Sequence, residues 1–150
     1  MKVVEKFISI NGEGKKAGEL AIFIRFKGCN LDCIYCDTKW ANLQNEEYEE
    51  LTKEEIYNFI KNVGVKNVTI TGGEPLLQEG IYELLEYISK DKEISIEIET
   101  NGSVDISRFK KINERISFTV DYKTSYSKME SFMNLENFDY VNKNDVVKFV

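Results

Sequence analysis

Apolar positions along the chain recur with two different periods, and the switches between them mark the elements. Lys2 to Ile10 reads as a strand closed by the turn signal Asn11-Gly12-Glu13-Gly14, and Leu20 to Phe26 (LAIFIRF) as a second, more apolar strand. Thr52-Lys53-Glu54-Glu55 has the spacing of a capping box, and Ile56, Phe59, Ile60 and Val63 follow at helical intervals. Together these predict a helix over 53–62, ended by Gly64. A helix carrying Ile81, Leu84, Leu85 and Ile88 falls between strands at Asn67 to Thr71 (NVTIT) and Ile94 to Thr100 (ISIEIET). A short helix near 105–112, a strand from Ser117 to Tyr122, a helix over 127–137 and an apolar segment from Val146 to Val150 complete the series. The acidic stretch Asn45 to Glu50 reads as an exposed connection. Strands alternating with helices in this way predict an α/β fold of βα units with mostly parallel strands.

The segment from Ile94 to Thr100 carries a second signal. Ile94, Ile96 and Ile98 share one face, and Ser95, Glu97 and Glu99 share the other. A parallel strand covered by helices on both sides should be apolar throughout. Two arrangements fit: an edge strand with one wet face, or a barrel or half-barrel whose helices cover the isoleucines while the carboxylates line a polar lumen.

Composition narrows the chemistry. At 150 residues and 42% hydrophobic, the chain is expected to form one domain over 1–150 with a true core, not a disordered segment. The 26 acidic residues outnumber the 20 basic ones, so phosphate-backbone binding is not expected and no nucleic-acid partner is anticipated. No apolar run approaches the roughly 18 residues of a membrane span, and Glu5 interrupts the place where a signal peptide needs an apolar block. The expectation is a cytoplasmic protein with no membrane partner. The absence of histidine excludes Ser-His-Asp and Cys-His catalysis within this chain and any imidazole-based zinc site. Three cysteines, an odd number, argue against a disulfide framework.

Those three cysteines all lie within eight residues, Cys29-Asn30-Leu31-Asp32-Cys33-Ile34-Tyr35-Cys36, after a strand ending Arg25-Phe26-Lys27-Gly28. They could be incidental thiols. They could bind zinc, although three thiolates leave a tetrahedral site one ligand short unless a carboxylate or a second chain completes it. They could also hold three irons of a four-iron cluster, which usually takes four cysteines, and leave the last iron open.

The spacing C-x3-C-x2-C after a strand resembles the signature of the radical S-adenosylmethionine superfamily, and Tyr35 before the last cysteine fits its pattern. Thr71-Gly72-Gly73-Glu74-Pro75 is similar to that superfamily's GGEP motif, and Glu99-Thr100-Asn101-Gly102 ends a strand with polar groups where such folds place ligands. More specifically, Phe7 to Gly14 with its GEG, Arg25-Phe26-Lys27-Gly28-Cys29-Asn30-Leu31, Cys36-Asp37-Thr38 and Asp121-Tyr122-Lys123 resemble the 7-carboxy-7-deazaguanine synthase family. The match runs over residues 5–125.

The resemblance implies a partial (β/α) barrel, a 4Fe-4S cluster on Cys29, Cys33 and Cys36, and S-adenosylmethionine on the open iron. In that superfamily an electron from the reduced cluster cleaves the sulfonium to a 5′-deoxyadenosyl radical, and the same chemistry is expected here. Cofactor contacts are expected at Tyr35, Asp37, Gly72, Gly73, Glu74, Glu99, Asn101 and Lys123. Substrate contacts are expected at Asn11, Gly12, Glu13, Arg25 and Thr71, with Mg²⁺ on the Thr38 hydroxyl and the substrate carboxylate. The implied reaction contracts 6-carboxy-5,6,7,8-tetrahydropterin to 7-carboxy-7-deazaguanine with loss of ammonia, on the route to queuosine. A homodimer and an electron donor such as flavodoxin or ferredoxin are the implied partners.

Arg25 offers a planar fork for a carboxylate, and Glu13 can accept from an aminopyrimidine edge. Asn11 stands where the family more often has Gln, which shortens one contact. The family usually continues past this point to late substrate contacts, often with a histidine. The ending Val146 to Val150 therefore suggests either a truncated chain or a compact variant completed by a partner subunit. The alternative enzyme reading is a glycyl-radical activase resembling the activating subunit of anaerobic ribonucleotide reductase. A third reading is a noncatalytic metal or redox module.

Overall fold

Strand β1 (Lys2–Ile10) folds back antiparallel onto β2 (Leu20–Phe26), and the two-residue β3 (Glu49–Glu50) pairs with Lys2 and Val3 on the far side of β1. The chain continues through α1 (Lys53–Val63), β4 (Asn67–Gly72), α2 (Ile81–Ser89), β5 (Ser95–Thr100), α3 (Ser107–Lys110), β6 (Ser117–Tyr122) and β7 (Val146–Phe149). The computed structural model, which describes residues 1–150, arranges these strands as one sheet in the order β3-β1-β2-β4-β5-β6-β7. The five strands from β2 to β7 in that order are parallel to their neighbours.

Helix α1 starts where the capping pattern places it. The Thr52 hydroxyl accepts from Glu55 N–H, the Glu55 carboxylate accepts from Thr52 N–H, and Gly64 closes the helix at φ 76°. Ile56 and Ile60 from α1, Ile81, Leu84, Leu85 and Ile88 from α2, and Phe109 from α3 are buried in one apolar cluster. The sheet's side of that cluster includes Ile22, Ile24, Phe26, Ile70, Ile98 and Phe118.

The opposite face of the same strands is polar. Thr69, Glu97 and Thr119 are buried there, and Arg25 pairs with Thr71 and Asp121 with Lys148 in the strand registers. The alternation in the fifth strand therefore corresponds to the half-barrel arrangement: β5 is interior to the sheet, its isoleucines lie under the helices and its carboxylates face the lumen.

Two local expectations differ from the structure. Residues 127–137 form no α-helix, only short 3-10 turns at Ser125–Ser127, Glu130–Phe132 and Leu135–Asp139. Ser127 and Asn134 bond to nearby backbone N–H groups of Met129 and Glu136, which competes with helical bonding, and Lys128 adopts a left-handed φ of 62°. The acidic connection over 45–50 also ends in the small β3 pairing instead of remaining wholly unpaired.

Candidate active site

The C-terminal ends of β2, β4, β5, β6 and β7 open onto one cavity of about 380 Å³. Open α/β folds bind ligands at this end of their strands. Cys29, Cys33 and Cys36 all contribute to its wall and are free thiols. Burial pushes the Cys29 and Cys33 thiols upward, while the Lys123 ammonium pulls Cys33 back down. Cys36 Sγ lies 3.6 Å from the hydroxyl of Thr38, and Thr38 and Asp37 also line the cavity.

The cysteine loop is set in place by the ends of β4 and β5. Gly73 N–H donates to Phe26 O at 3.1 Å and Glu74 N–H to Gly28 O at 2.8 Å. A Cβ on Gly72 would stand 2.4 Å from Phe26 O, and one on Gly73 would stand 2.2 Å from Gly28 O. The paired glycines therefore let the β4 loop lie against the root of the cysteine loop. From β5, Asn101 Nδ2 reaches Asn30 Oδ1 at 3.1 Å and Cys29 Sγ at 3.6 Å.

Glu74 connects these two loops from behind. Its carboxylate is fully buried and accepts from Asn101 N–H at 2.7 Å, Leu76 N–H at 3.0 Å and the Thr100 hydroxyl at 2.9 Å. Burial raises its pKa to about 7, against the opposing pull of those hydrogen bonds. Glu74, expected among the cofactor contacts, is placed behind the cavity in this structure. Both oxygens face inward, and Glu74 is absent from the cavity wall.

Charged side chains also line the cavity. Arg25 lines the cavity, with its Nε bonded to Glu5 at 2.6 Å. Glu99 and Thr71 are adjacent there, and burial raises the Glu99 pKa while the Thr71 hydroxyl lowers it. Lys123 bonds Asp121 at 2.6 Å and sits 5.6 Å from the ring centroid of Tyr35, which stacks on Tyr126. The Tyr35 hydroxyl is buried without a partner. Glu13 faces the cavity and pairs with Lys148.

Two further expected contacts lie off the wall. Asn11 is buried beneath it, giving its amide to Glu97 at 2.9 Å and Thr69 at 3.2 Å. Its shorter side chain is occupied by that cluster, and Gly12 is likewise not part of the lining. Gly14, at φ 66°, is the glycine the turn requires: a Cβ there would stand 1.6 Å from Glu97 Oε1. Conversely, Asp121 and Lys148 line the cavity but were not expected there as ligand contacts. Strand parity carried a signal for both, because Asp121 falls out of step with Phe118 and Val120, and Lys148 is the one charged residue of VVKF.

The residues present fit a cluster with one open iron. Three thiols share one wall, and the chain has no fourth cysteine and no histidine to close the set. No group of three or more Cys, Asp or Glu side chains converges on a single-ion position. Mononuclear zinc would need a fourth ligand beyond these thiols, whereas a multi-iron cluster spreads its thiolates over several metals. Magnesium would find oxygen donors at Thr38 and Asp37 and would need substrate and water for the rest.

The family model described as the radical SAM superfamily matches residues 23–138. A 7-carboxy-7-deazaguanine synthase from Clostridium acetobutylicum is 59% identical over 149 residues, covering 99% of this chain and 67% of that protein. The one from Thermoplasma acidophilum is 33% identical, covering 100% of this chain and 69% of that protein. The one from Rhodopirellula baltica is 40% identical over 103 residues, which is 39% of its length. Among solved structures, QueE from Escherichia coli superposes with a TM-score of 0.79 at 24% identity, over 99% of this chain and 70% of that one. At that identity the likeness shows the shared fold, a mostly parallel half-barrel.

Proposed function

The chain belongs to the 7-carboxy-7-deazaguanine synthase family of the radical SAM superfamily, and we propose that it converts 6-carboxy-5,6,7,8-tetrahydropterin to 7-carboxy-7-deazaguanine with release of ammonia. Membership makes it a radical SAM enzyme of the lyase type, working with a 4Fe-4S cluster and S-adenosylmethionine on a small molecule. The activase alternative has no counterpart among the relatives described above.

The observation that carries this reading is a single cavity lined by all three thiols together with Arg25 and Glu13. When bound, the cluster and S-adenosylmethionine supply a 5′-deoxyadenosyl radical. Cys29, Cys33 and Cys36 would hold the cluster, and the Asn101 amide orients Cys29. Backbone at Gly72 and Gly73, with Asp37, Tyr35, Glu99 and Lys123, would seat the cofactor. Arg25 would clamp the substrate carboxylate, Thr71 would sit beside it, and Glu13 would receive the aminopyrimidine edge. Thr38 would give Mg²⁺ one oxygen. Asn11 supports the turn that presents Gly12 and Glu13, and Glu74 braces the two loops from behind the wall. A homodimer, a cytoplasmic setting and a flavodoxin- or ferredoxin-type donor belong to the same proposal. No helix is long and apolar enough to cross a membrane.

The test is anaerobic reconstitution with iron, sulfide and reductant, followed by incubation with S-adenosylmethionine, Mg²⁺ and the carboxypterin. Formation of the deazapurine is expected. An intact cluster with no turnover would overturn the proposal.

A further inference from the structure

Lys148 occupies a place that no part of the proposed chemistry yet uses. It lies on β7 beside Asp121 in the parallel register, and its side chain crosses the cavity to the turn after β1, 135 residues away in sequence. Its ammonium pairs with the Glu13 carboxylate and, at 3.1 Å, with Asp121 Oδ1. The other oxygen of Asp121 is taken by Lys123 at 2.6 Å. Asp121 is thus fixed between two lysines and anchors Lys148 from the β6 side.

Glu13 has no such anchorage of its own. Its side chain is 45% exposed, and Lys148 is its one side-chain hydrogen-bond partner. It also faces the like charge of Glu99 across the cavity. Without Lys148, repulsion by Glu99 and Asp121 would drive Glu13 outward. With Lys148, the carboxylate is held toward the cavity. An ionised carboxylate only accepts hydrogen bonds, and one ammonium leaves most of its lone-pair positions free.

We propose that Lys148 is the positioning residue for substrate selection: it holds Glu13 as an inward-facing acceptor, so that the cavity takes a heterocycle edge carrying an amino group beside a ring N–H. This inference rests on the synthase reading. A 2-amino pterin presents two adjacent donors to Glu13. The 2-oxo analogue replaces one donor with a carbonyl oxygen, which meets the carboxylate with like polarity. In this proposal Lys148 acts through Glu13, so its removal should weaken binding and leave the chemical step alone.

The test uses the reconstituted holoenzyme with 6-carboxy-tetrahydropterin and its 2-oxo analogue, reading equilibrium binding by calorimetry and steady-state kinetics. The unaltered protein should prefer the 2-amino ligand by about 100-fold or more. Lys148→Met should raise KM roughly 10- to 100-fold, as expected for a lost charge-assisted contact, with kcat within about threefold. The same variant should compress the 2-amino preference to below about tenfold, and Lys148→Arg should restore most of it. The double variant Glu13→Gln, Lys148→Met should be no worse than Glu13→Gln alone. Unchanged KM and preference in Lys148→Met, or full additivity with Glu13→Gln, would overturn this inference and leave the synthase reading standing. An intact holoenzyme that neither binds nor converts the pterin would remove both.

Discussion

On the helix side of the sheet, Ile22, Ile24, Ile70, Ile98 and Phe118 are fully buried in one apolar cluster. One step along the same strands, the cavity side carries Thr69, Glu97, Thr119 and Asp121, each held by a specific hydrogen bond or ion pair. The first face is stabilised by area and volume, which many apolar shapes can supply. The second depends on partners: a buried polar group without one costs far more than an imperfect apolar fit. Changes on the helix face should therefore appear mainly as lost stability, and changes on the cavity face mainly as lost ligand chemistry.

The sharpest contrast pairs Phe118→Ala with Cys33→Ser. The first should cost about 3–5 kcal/mol in urea unfolding, a large part of a typical domain's total. The second should leave the unfolding midpoint of the cluster-free protein nearly unchanged yet prevent assembly of the iron–sulfur cluster, read by its visible absorption, and abolish turnover. Its effect on metal retention should exceed the 10–100-fold of an outer-shell change. A Cys33→Ser protein that unfolds as easily as Phe118→Ala would break the division between the faces.

Glu74 lies at the boundary and should show both behaviours. Because its folded pKa of about 7 lies above the unfolded value near 4.5, the native state keeps a proton that the unfolded chain has lost. Its contribution is therefore full below pH 4.5 and declines as pH rises to about 7, by about 3 kcal/mol in all. Glu74→Gln should remove that slope from the pH dependence of stability and loosen the cysteine loop. Equal slopes in the two proteins would show that the buried carboxylate is not the titrating group.

The smallest of these effects should come from Gly14→Ala, at about 1–3 kcal/mol. The added Cβ would collide with Glu97 in a backbone conformation already unfavourable to L-residues. Substrate affinity should fall with it, because Glu13 is the adjacent residue. A Gly14→Ala protein as stable as its parent would mean that Glu97 moves aside without cost.

Much of this architecture was legible along the chain. The alternation in Ile94 to Thr100 already separated an apolar from a polar face, leaving open whether the polar one met solvent or a lumen, and the three cysteines within one loop already implied an incomplete ligand set. The helix expected over 127–137 failed because Ser127 and Asn134 bond locally, a competition that apolar spacing does not register. Glu74 was legible as a motif but not as a brace: its direction depends on Thr100 and Asn101 arriving from another strand.

Local order was decided by the sequence alone, because periodicity, capping and turn chemistry act between residues a few positions apart. Thr52 and Glu55 and the cysteine spacing belong to that class. Which polar groups meet was decided only by the tertiary structure. The parallel register sets Asp121 beside Lys148, and closure of the sheet toward the first turn brings Lys148 to Glu13. Those contacts depend on strand order and on the inward or outward sense of each side chain. Neither quantity is carried by any short stretch of the chain, which is why the charged wall of the cavity emerged only in three dimensions.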